Sequence, residues 1–202
     1  DFIAGQYLNF VMSDEDKRPF SIASAPGSEL IELQIGAFDE NSYAMQVIER
    51  LKENTEVTIE MPLGNAGLNT NSTRPILLLA GGTGFSYIKS MFEYLAQQNT
   101  DREVIVYWGL REPSACYELE KTAECVNKIA NSSFTPIVQT PDENWQGRTG
   151  LLHEIAMADI ASFEAYDIYL AGRFDMVGII RDDLVKKGAL LEHMYADAFA
   201  YI

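Results

Sequence analysis

The chain has 202 residues, enough for one large or two small domains, and 47% of them are hydrophobic, so it can bury a sizeable core. The formal net charge of −15 argues against nucleic acid and anionic membranes as partners, and no apolar run is long enough to span a bilayer. The two cysteines, Cys116 and Cys125, indicate neither a disulfide framework nor a metal site, so we expect a reducing, cytoplasmic location.

The first third of the chain is predicted to be mostly β. Short strands are expected at 6–12, 20–25, 30–36 and 57–61. The third of these is predicted because apolar and polar residues alternate along it. A helix is expected to begin at 39–42, with Val47 and Leu51 on its apolar face. Short strands at this spacing indicate a small antiparallel barrel or sandwich.

A polar loop at 65–74 is the predicted domain boundary, because the pattern beyond it changes to alternating strands and helices. The predicted strands are 76–80, 104–108, 135–139 and 167–171, and the predicted helices are 85–98, 118–130, 152–157 and 175–187. This alternation predicts a parallel sheet with right-handed crossovers. Ligands of such sheets bind at the carboxyl ends of the strands.

A glycine cluster follows directly on the strand predicted at 76–80. Its residues, Gly81-Gly82-Thr83-Gly84, permit positive φ and close approach of a ligand, and the helix beyond offers unpaired N–H groups to a phosphate or pyrophosphate. The order G-G-T-G matches neither the G-x-G-x-x-G pattern nor the P-loop pattern. On the residues alone, a tight strand-to-helix turn without a ligand remains the alternative.

Three further stretches carry side chains suited to a cofactor. Arg18-Pro19-Phe20-Ser21 combines a guanidinium that can hold a phosphate with a hydroxyl that can bond a ring atom, although it also fits a plain strand edge. The segment 170–176 repeats the order of strand, glycine and helix. The aromatic C-terminus, 197–202, fits either core packing or a cover for a flat ring. His153 and His193 are interpreted as surface or capping residues.

Five motifs, taken in order, resemble the bacterial NAD(P)H:flavin oxidoreductases, which are flavin reductases within the ferredoxin–NADP⁺ reductase superfamily. They are R-P-F-S-x-A-S, G-G-T-G-F-S-Y, Y-W-G-x-R-E, A-G-R-F-D-M and D-A-F-A-Y-I. The resemblance implies two domains: an N-terminal flavin-binding antiparallel β-barrel at 1–72 and a C-terminal NAD(P)-binding α/β domain with a parallel sheet at 73–202. It also implies further barrel strands ahead of residue 1, so residue 1 is predicted not to be the native start.

The resemblance also implies the site residues. Those at the flavin are Arg18, Pro19, Phe20 and Ser21, with Ser21 the catalytic residue near the ring nitrogen that receives the hydride. Those at the nicotinamide nucleotide are Gly81, Gly82, Thr83, Gly84, Phe85 and Ser86 at the pyrophosphate and nicotinamide, Arg111 at the adenosine end, and Gly172, Arg173, Phe174 and Met176 on the opposite wall. Phe199 or Tyr201 would approach the flavin or nicotinamide ring.

The implied activity is hydride transfer from NADH or NADPH to a flavin: riboflavin, FMN or FAD. FAD-bearing relatives hold the FAD pyrophosphate at the region that is 36–42 here, where Asp39 and Glu40 would repel it. We therefore expect flavin as a diffusible substrate or a weakly bound group, with downstream users of the reduced flavin as indirect partners. Two alternatives remain: an FAD-containing reductase that passes electrons to a separate protein, and a non-catalytic nucleotide-binding module.

Overall fold

The computed structural model describes residues 1–36 and 42–202, and it contains two sheets of different kinds. The first sheet is antiparallel, with the order β2-β1-β3. Its strands are β1 (Tyr7–Val11), β2 (Lys17–Ser21) and β3 (Ile59–Leu63), and helix α1 (Tyr43–Glu53) precedes β3. Tyr7 lies opposite both Ser21 and Leu63 in the register. The helix start predicted at 39–42 falls largely outside the described residues, but Ser42 caps α1 by accepting a bond from Met45 N at 3.1 Å.

The strand predicted at 30–36 is wrong, because these residues form no strand. The polar side chains expected to face water instead face the second sheet's helices. Glu32 pairs with Lys89 at 2.9 Å, and Gln34 accepts a hydrogen bond from Ser86 Oγ at 3.2 Å. The apolar residue Leu30 is 79% exposed. Tertiary contacts of the polar residues therefore override the alternating pattern.

The second sheet is parallel throughout, with the order β7-β6-β5-β4-β8-β9. Its strands are β4 (Ile76–Gly81), β5 (Val104–Leu110), β6 (Ser132–Val138), β7 (Arg148–Thr149), β8 (Asp167–Ala171) and β9 (Met194–Tyr195), and its helices are α2 (Phe85–Gln97), α3 (Leu119–Val126), α4 (Leu152–Asp159) and α5 (Phe174–Lys186). The chain winds outward from β4 through β5 and β6, then returns to β8 on the other side of β4. The carboxyl end of β4 is therefore a topological switch point, where open α/β sheets bind ligands.

Strand β4 is buried on both faces, as its continuous apolar run predicts. Leu78 belongs to an apolar cluster that includes Phe92 of α2, whereas Leu79 belongs to a second cluster that includes Val177 of α5. Helices thus cover both faces of the sheet. Together with the antiparallel sheet, this confirms the predicted fold class. The division into domains at 1–72 and 73–202 stays a prediction.

Buried charges join the amino ends of the second sheet's strands, at the opposite end from the switch point. Asp167 is fully buried, and its carboxylate pairs with Arg102 at 2.7 Å and with Arg74 at 3.5 Å. His193 Nδ1 lies 3.0 Å from the same carboxylate. His193, interpreted as a surface or capping residue, is 29% exposed and also belongs to this structural cluster.

None of the helices in the described part of the chain is both long and apolar enough to cross a membrane.

Candidate active site

A cleft of about 800 Å³ opens between the first sheet and the C-terminal segment. Its volume is in the range of small-molecule and cofactor sites. It is lined by Tyr7, Asn9, Lys17, Pro19, Phe20, Ser21, Gly64, Asn65, Ala66, Phe174, Met194, Tyr195, Ala196, Asp197, Phe199, Ala200 and Tyr201. Six residues predicted for the site therefore share one cleft: Pro19, Phe20, Ser21, Phe174, Phe199 and Tyr201.

Strand β2 supplies one wall of the cleft. Side chains alternate along a strand, so Lys17, Pro19 and Ser21 point to one face and Arg18 to the other. The Ser21 hydroxyl has no side-chain hydrogen-bond partner among residues 1–36 and 42–202, although neighbouring strand β1 holds its backbone in register with Tyr7. A fixed backbone with a free hydroxyl suits a group that bonds a ligand.

Arg18 does not line the cleft, which differs from the prediction. Its guanidinium is 4.1 Å from the ring centroid of Tyr43 and donates to that residue's carbonyl oxygen at 2.6 Å. It also donates to Gln46 Oε1 at 2.8 Å and to both carboxylate oxygens of Asp16, at 2.9 and 2.6 Å. Arg18 thus ties β2 to α1.

Aromatic rings form the opposite wall. The rings of Phe174 and Tyr201 stack with centroids 5.2 Å apart and planes at 9°. They remain 52% and 72% exposed, so the stacked pair presents aromatic surface to the cleft. Phe199 lies half-buried beside them, with Arg181 over its ring at 5.9 Å.

The glycine turn lies where β4 meets α2, at the switch point. Gly82 has φ of +54°, and a Cβ there would meet no atom within 4 Å, so the space beside it is open. At Gly84 a Cβ would lie 2.7 Å from the carbonyl carbon of Ala171 at the end of β8. Gly84 is the N-cap of α2 and offers no side chain to the first N–H groups of that helix. An anion fits such a helix end.

Met176 joins the two glycine turns. Its Sδ lies 2.6 Å from where a Cβ on Gly81 would stand, and its Cε lies 2.3 Å from the same position on Gly172. Gly172 has φ of +148°, at the edge of the region that favours glycine. The predicted residues of the second and fourth motifs therefore come together as one packed unit.

Phe85 and Ser86 are buried inside this unit, which differs from their prediction as nucleotide contacts. The Phe85 ring is fully buried and stacks on Trp108 with centroids 4.1 Å apart. Ser86 Oγ donates to Thr83 O at 3.1 Å. Trp108 Nε1 donates to Gly82 O at 2.9 Å. The side chains of Phe85, Ser86 and Trp108 therefore support the glycine turn from the protein interior.

The two arginines predicted for the nucleotide lie on the surface. Arg111 is exposed just beyond β5 and makes no ion pair with any residue that the structure describes. Arg173 is exposed at the start of α5 and pairs with Asp175 at 2.5 Å. Neither lines the cleft.

The prediction missed Asp197, which lines the cleft and has no side-chain hydrogen bond within the described ranges. Burial raises the pKa of this carboxyl from 3.8 to about 6. A Cβ on Gly64, where φ is +92°, would lie 3.0 Å from Asp197 Oδ1 and 2.9 Å from the Tyr7 ring, so the glycine makes room for the carboxylate. Asp197 stands in the fifth motif, but only the fold brings it beside Gly64.

No group of three or more His, Cys, Asp or Glu side chains suited to a metal ion occurs in the described part of the chain.

Sequence comparison identifies the nucleotide half of the chain. A family described as oxidoreductase NAD-binding domain matches residues 78–182. Two relatives, both called NAD(P)H-flavin reductase, match the whole chain. The one from Vibrio harveyi is 43% identical over 208 residues, and the one from Aliivibrio fischeri is 42% identical over 211 residues. Each alignment covers 100% of this chain and 88% of the relative.

Solved structures share the fold. The ferredoxin reductase in carbazole 1,9a-dioxygenase superposes with a TM-score of 0.83 at 22% identity, over 98% of this chain and 61% of that one. The flavohem-like FAD/NAD binding domain of nitric oxide dioxygenase from Vibrio cholerae gives 0.79 at 19% identity, over 96% of this chain and 84% of that one. The chain belongs to the NAD(P)H-flavin reductases, and it shares its fold with solved ferredoxin reductases.

Proposed function

We propose that the protein transfers a hydride from NADH or NADPH to a diffusible flavin, which then leaves in reduced form. The observation that carries the proposal is the cleft of about 800 Å³, which is lined both by Ser21 and by the stacked pair Phe174 and Tyr201. Two flat rings stacked face to face require such a slot with aromatic walls and few charges. The names of the two relatives at 43% and 42% identity support the same activity.

The nucleotide side of the site is assigned to the glycine turns. The open space beside Gly82, and the absence of a side-chain cap where the helical segment 82–97 begins, suit a pyrophosphate. In this assignment, Met176 and Gly172 contact the nicotinamide. Phe85 and Ser86 are positioning residues, because they hold the turn without reaching the surface.

The flavin side is assigned to β2. Pro19 and Phe20 supply apolar contact for the ring system, and the Ser21 hydroxyl donates a hydrogen bond to a ring atom. The strand pairing with β1 fixes the backbone that carries this hydroxyl before the flavin arrives, which lowers the ordering cost of the reaction.

The chemistry itself comes from the bound pair, since reduced nicotinamide supplies a hydride and the isoalloxazine accepts it. The chain contributes orientation, because the two walls hold the rings in contact. The aromatic pair excludes water from the exposed ring face. Arg18 contributes indirectly by tying β2 to α1.

We also propose a cellular location for the protein and a fate for the reduced flavin. The free thiols of Cys116 and Cys125 fit a reducing cytoplasm, where reduced flavin is handed to other flavin-dependent proteins. Asp39 and Glu40, whose charges underlie the expectation of a diffusible flavin, lie outside the described residues.

The test is oxidation of NADH by dialysed protein, with and without added riboflavin. Oxidation that requires riboflavin and saturates with its concentration supports the proposal. A protein that stays yellow after dialysis and oxidises NADH without added flavin contradicts it in favour of a retained FAD and a protein acceptor. The absence of oxidation under both conditions would contradict it in favour of a binding module.

A further inference from the structure

Asp197 carries a charge in the cleft that the proposed reaction does not use. Lys17, which lines the same cleft, pairs with Glu60 at 2.6 Å. No cation in the described ranges is within 4.0 Å of Asp197. The charge of Asp197 therefore acts within the cleft without a neutralising partner.

Its other neighbours with ionisable groups are phenols. Burial, followed by the charge of Asp197, raises the pKa of Tyr7 on β1 and of Tyr87 on α2. Tyr195 on β9 and Tyr201 near the C-terminus also line the cleft. The raised pKa keeps the Tyr7 phenol neutral at physiological pH. Among the cleft-lining residues that the structure describes, Asp197 is a carboxylate without an ion-pair partner.

The fold makes room for this charge. Strand β3 ends at Leu63, and the next residue, Gly64, has no side chain. The Asp197 carboxylate and the Tyr7 ring therefore both lie close to the α-carbon of Gly64. A partly buried carboxylate without a donor opposes folding. Such a group at a cleft is a candidate for function.

The two forms of flavin differ in charge. The oxidised isoalloxazine is neutral, whereas the reduced ring loses its N1 proton readily and is largely anionic at neutral pH. We propose, resting on the function proposed above, that Asp197 makes the cleft distinguish flavin by redox state, so that oxidised flavin binds and reduced flavin is repelled. Like charges in a partly desolvated cleft repel more strongly than in water. Asp197 thereby promotes release of the product and limits its rebinding.

The ionisation of Asp197 supports this assignment. With a pKa of about 6 the carboxylate is charged at pH 8 and largely neutral at pH 5. The repulsion is therefore present under conditions where the reduced flavin is itself anionic.

The test is anaerobic binding of riboflavin, which has no phosphate charge, to wild type and Asp197→Asn at pH 8. Dissociation constants for the oxidised and the chemically reduced forms are read from protein fluorescence. We expect Asp197→Asn to bind reduced riboflavin tighter by on the order of tenfold and oxidised riboflavin within about twofold of wild type. Asp197→Ser, which also removes the charge, serves as a second variant should the first fail to fold. Glu124→Gln, which removes an exposed charge from α3, is the control and should change neither constant.

Each outcome decides a different claim. Unchanged binding of reduced riboflavin in both Asp197 variants, or equal tightening of both forms, overturns the inference. A wild type that reduces riboflavin with NADH but shows no preference for the oxidised form also overturns it while leaving the proposed function intact. A wild type that binds neither form of riboflavin overturns the proposed function itself.

Discussion

Replacement of Gly84 by Ala tests the packing that holds the two glycine turns together. The new Cβ would lie 2.7 Å from Ala171 C, and 2.8 Å from both Ala171 O and Gly172 N, where ordinary contacts begin at 3.4 Å. These atoms are backbone and cannot rotate away, so the end of β8 must shift. Overpacking of this kind costs roughly 2–3 kcal/mol, which for a chain of this length lowers Tm by roughly 4–12 °C.

Gly82→Ala is the matched control in the same turn. A Cβ there meets nothing within 4 Å, so only the positive φ of +54° opposes it. That strain costs about 1 kcal/mol, or about 2–4 °C in Tm. Because its Cβ would stand in the space assigned to the pyrophosphate, Gly82→Ala should raise the KM for NADH more than its small loss of stability implies.

Thermal unfolding followed by circular dichroism, together with the KM for NADH, separates the two effects. If Gly84→Ala melts no lower than Gly82→Ala, the close approach of the β4 and β8 turns is refuted. If Gly82→Ala leaves the KM for NADH unchanged, the assignment of the open space to the nucleotide is refuted.

Other substitutions test separate parts of the account. Ser21→Ala should lower kcat for riboflavin reduction by roughly tenfold to a hundredfold, with little change in the KM for NADH, because an oriented donor is lost; an unchanged kcat would exclude that role. Arg111→Gln should raise the KM for NADPH about tenfold more than that for NADH if the guanidinium meets a 2′-phosphate, whereas equal changes would count against it. Asp167→Asn leaves Arg102 without its buried partner and should cost about 3–5 kcal/mol in urea unfolding while both KM values stay unchanged; a stability equal to wild type would show that the buried pair is dispensable. The pKa of Asp197 is raised from 3.8 to about 6 on folding, so the folded state binds more protons between these values and stability falls as pH rises through this window. Asp197→Asn should therefore raise Tm at pH 8 and leave it nearly unchanged at pH 3.5; the opposite pH dependence would contradict the burial of this carboxyl.

The second sheet was predictable because its signals are local. The apolar run of β4 ends in a glycine cluster, and strand β8 occupies the predicted range 167–171. Each of these elements is identified by residues within a dozen positions of one another. The three-stranded sheet was predicted less well. The alternation of polar and apolar residues at 30–36 predicted a strand, but Glu32 and Gln34 are polar because they contact Lys89 and Ser86, which lie far along the chain.

The candidate site was predictable in part. The family resemblance implied that Ser21 and the C-terminal aromatic residues share one site, and in the structure they line one cleft. The sequence could not show that Phe85 packs on Trp108 beneath the turn. It also could not pair Asp197 with Gly64, because only strand pairing and the return of the C-terminal segment bring them together.

The central claim is that flavin is a substrate of this cleft. The most direct measurement is anaerobic mixing of dialysed protein with excess riboflavin and NADH, with the loss of the flavin's visible absorbance followed over many turnovers. The account predicts that one protein molecule reduces many riboflavin molecules, and that NADH deuterated at the transferred position slows the loss if hydride transfer limits the rate. Reduction that stops after one equivalent of flavin, or that proceeds equally without protein, would contradict it.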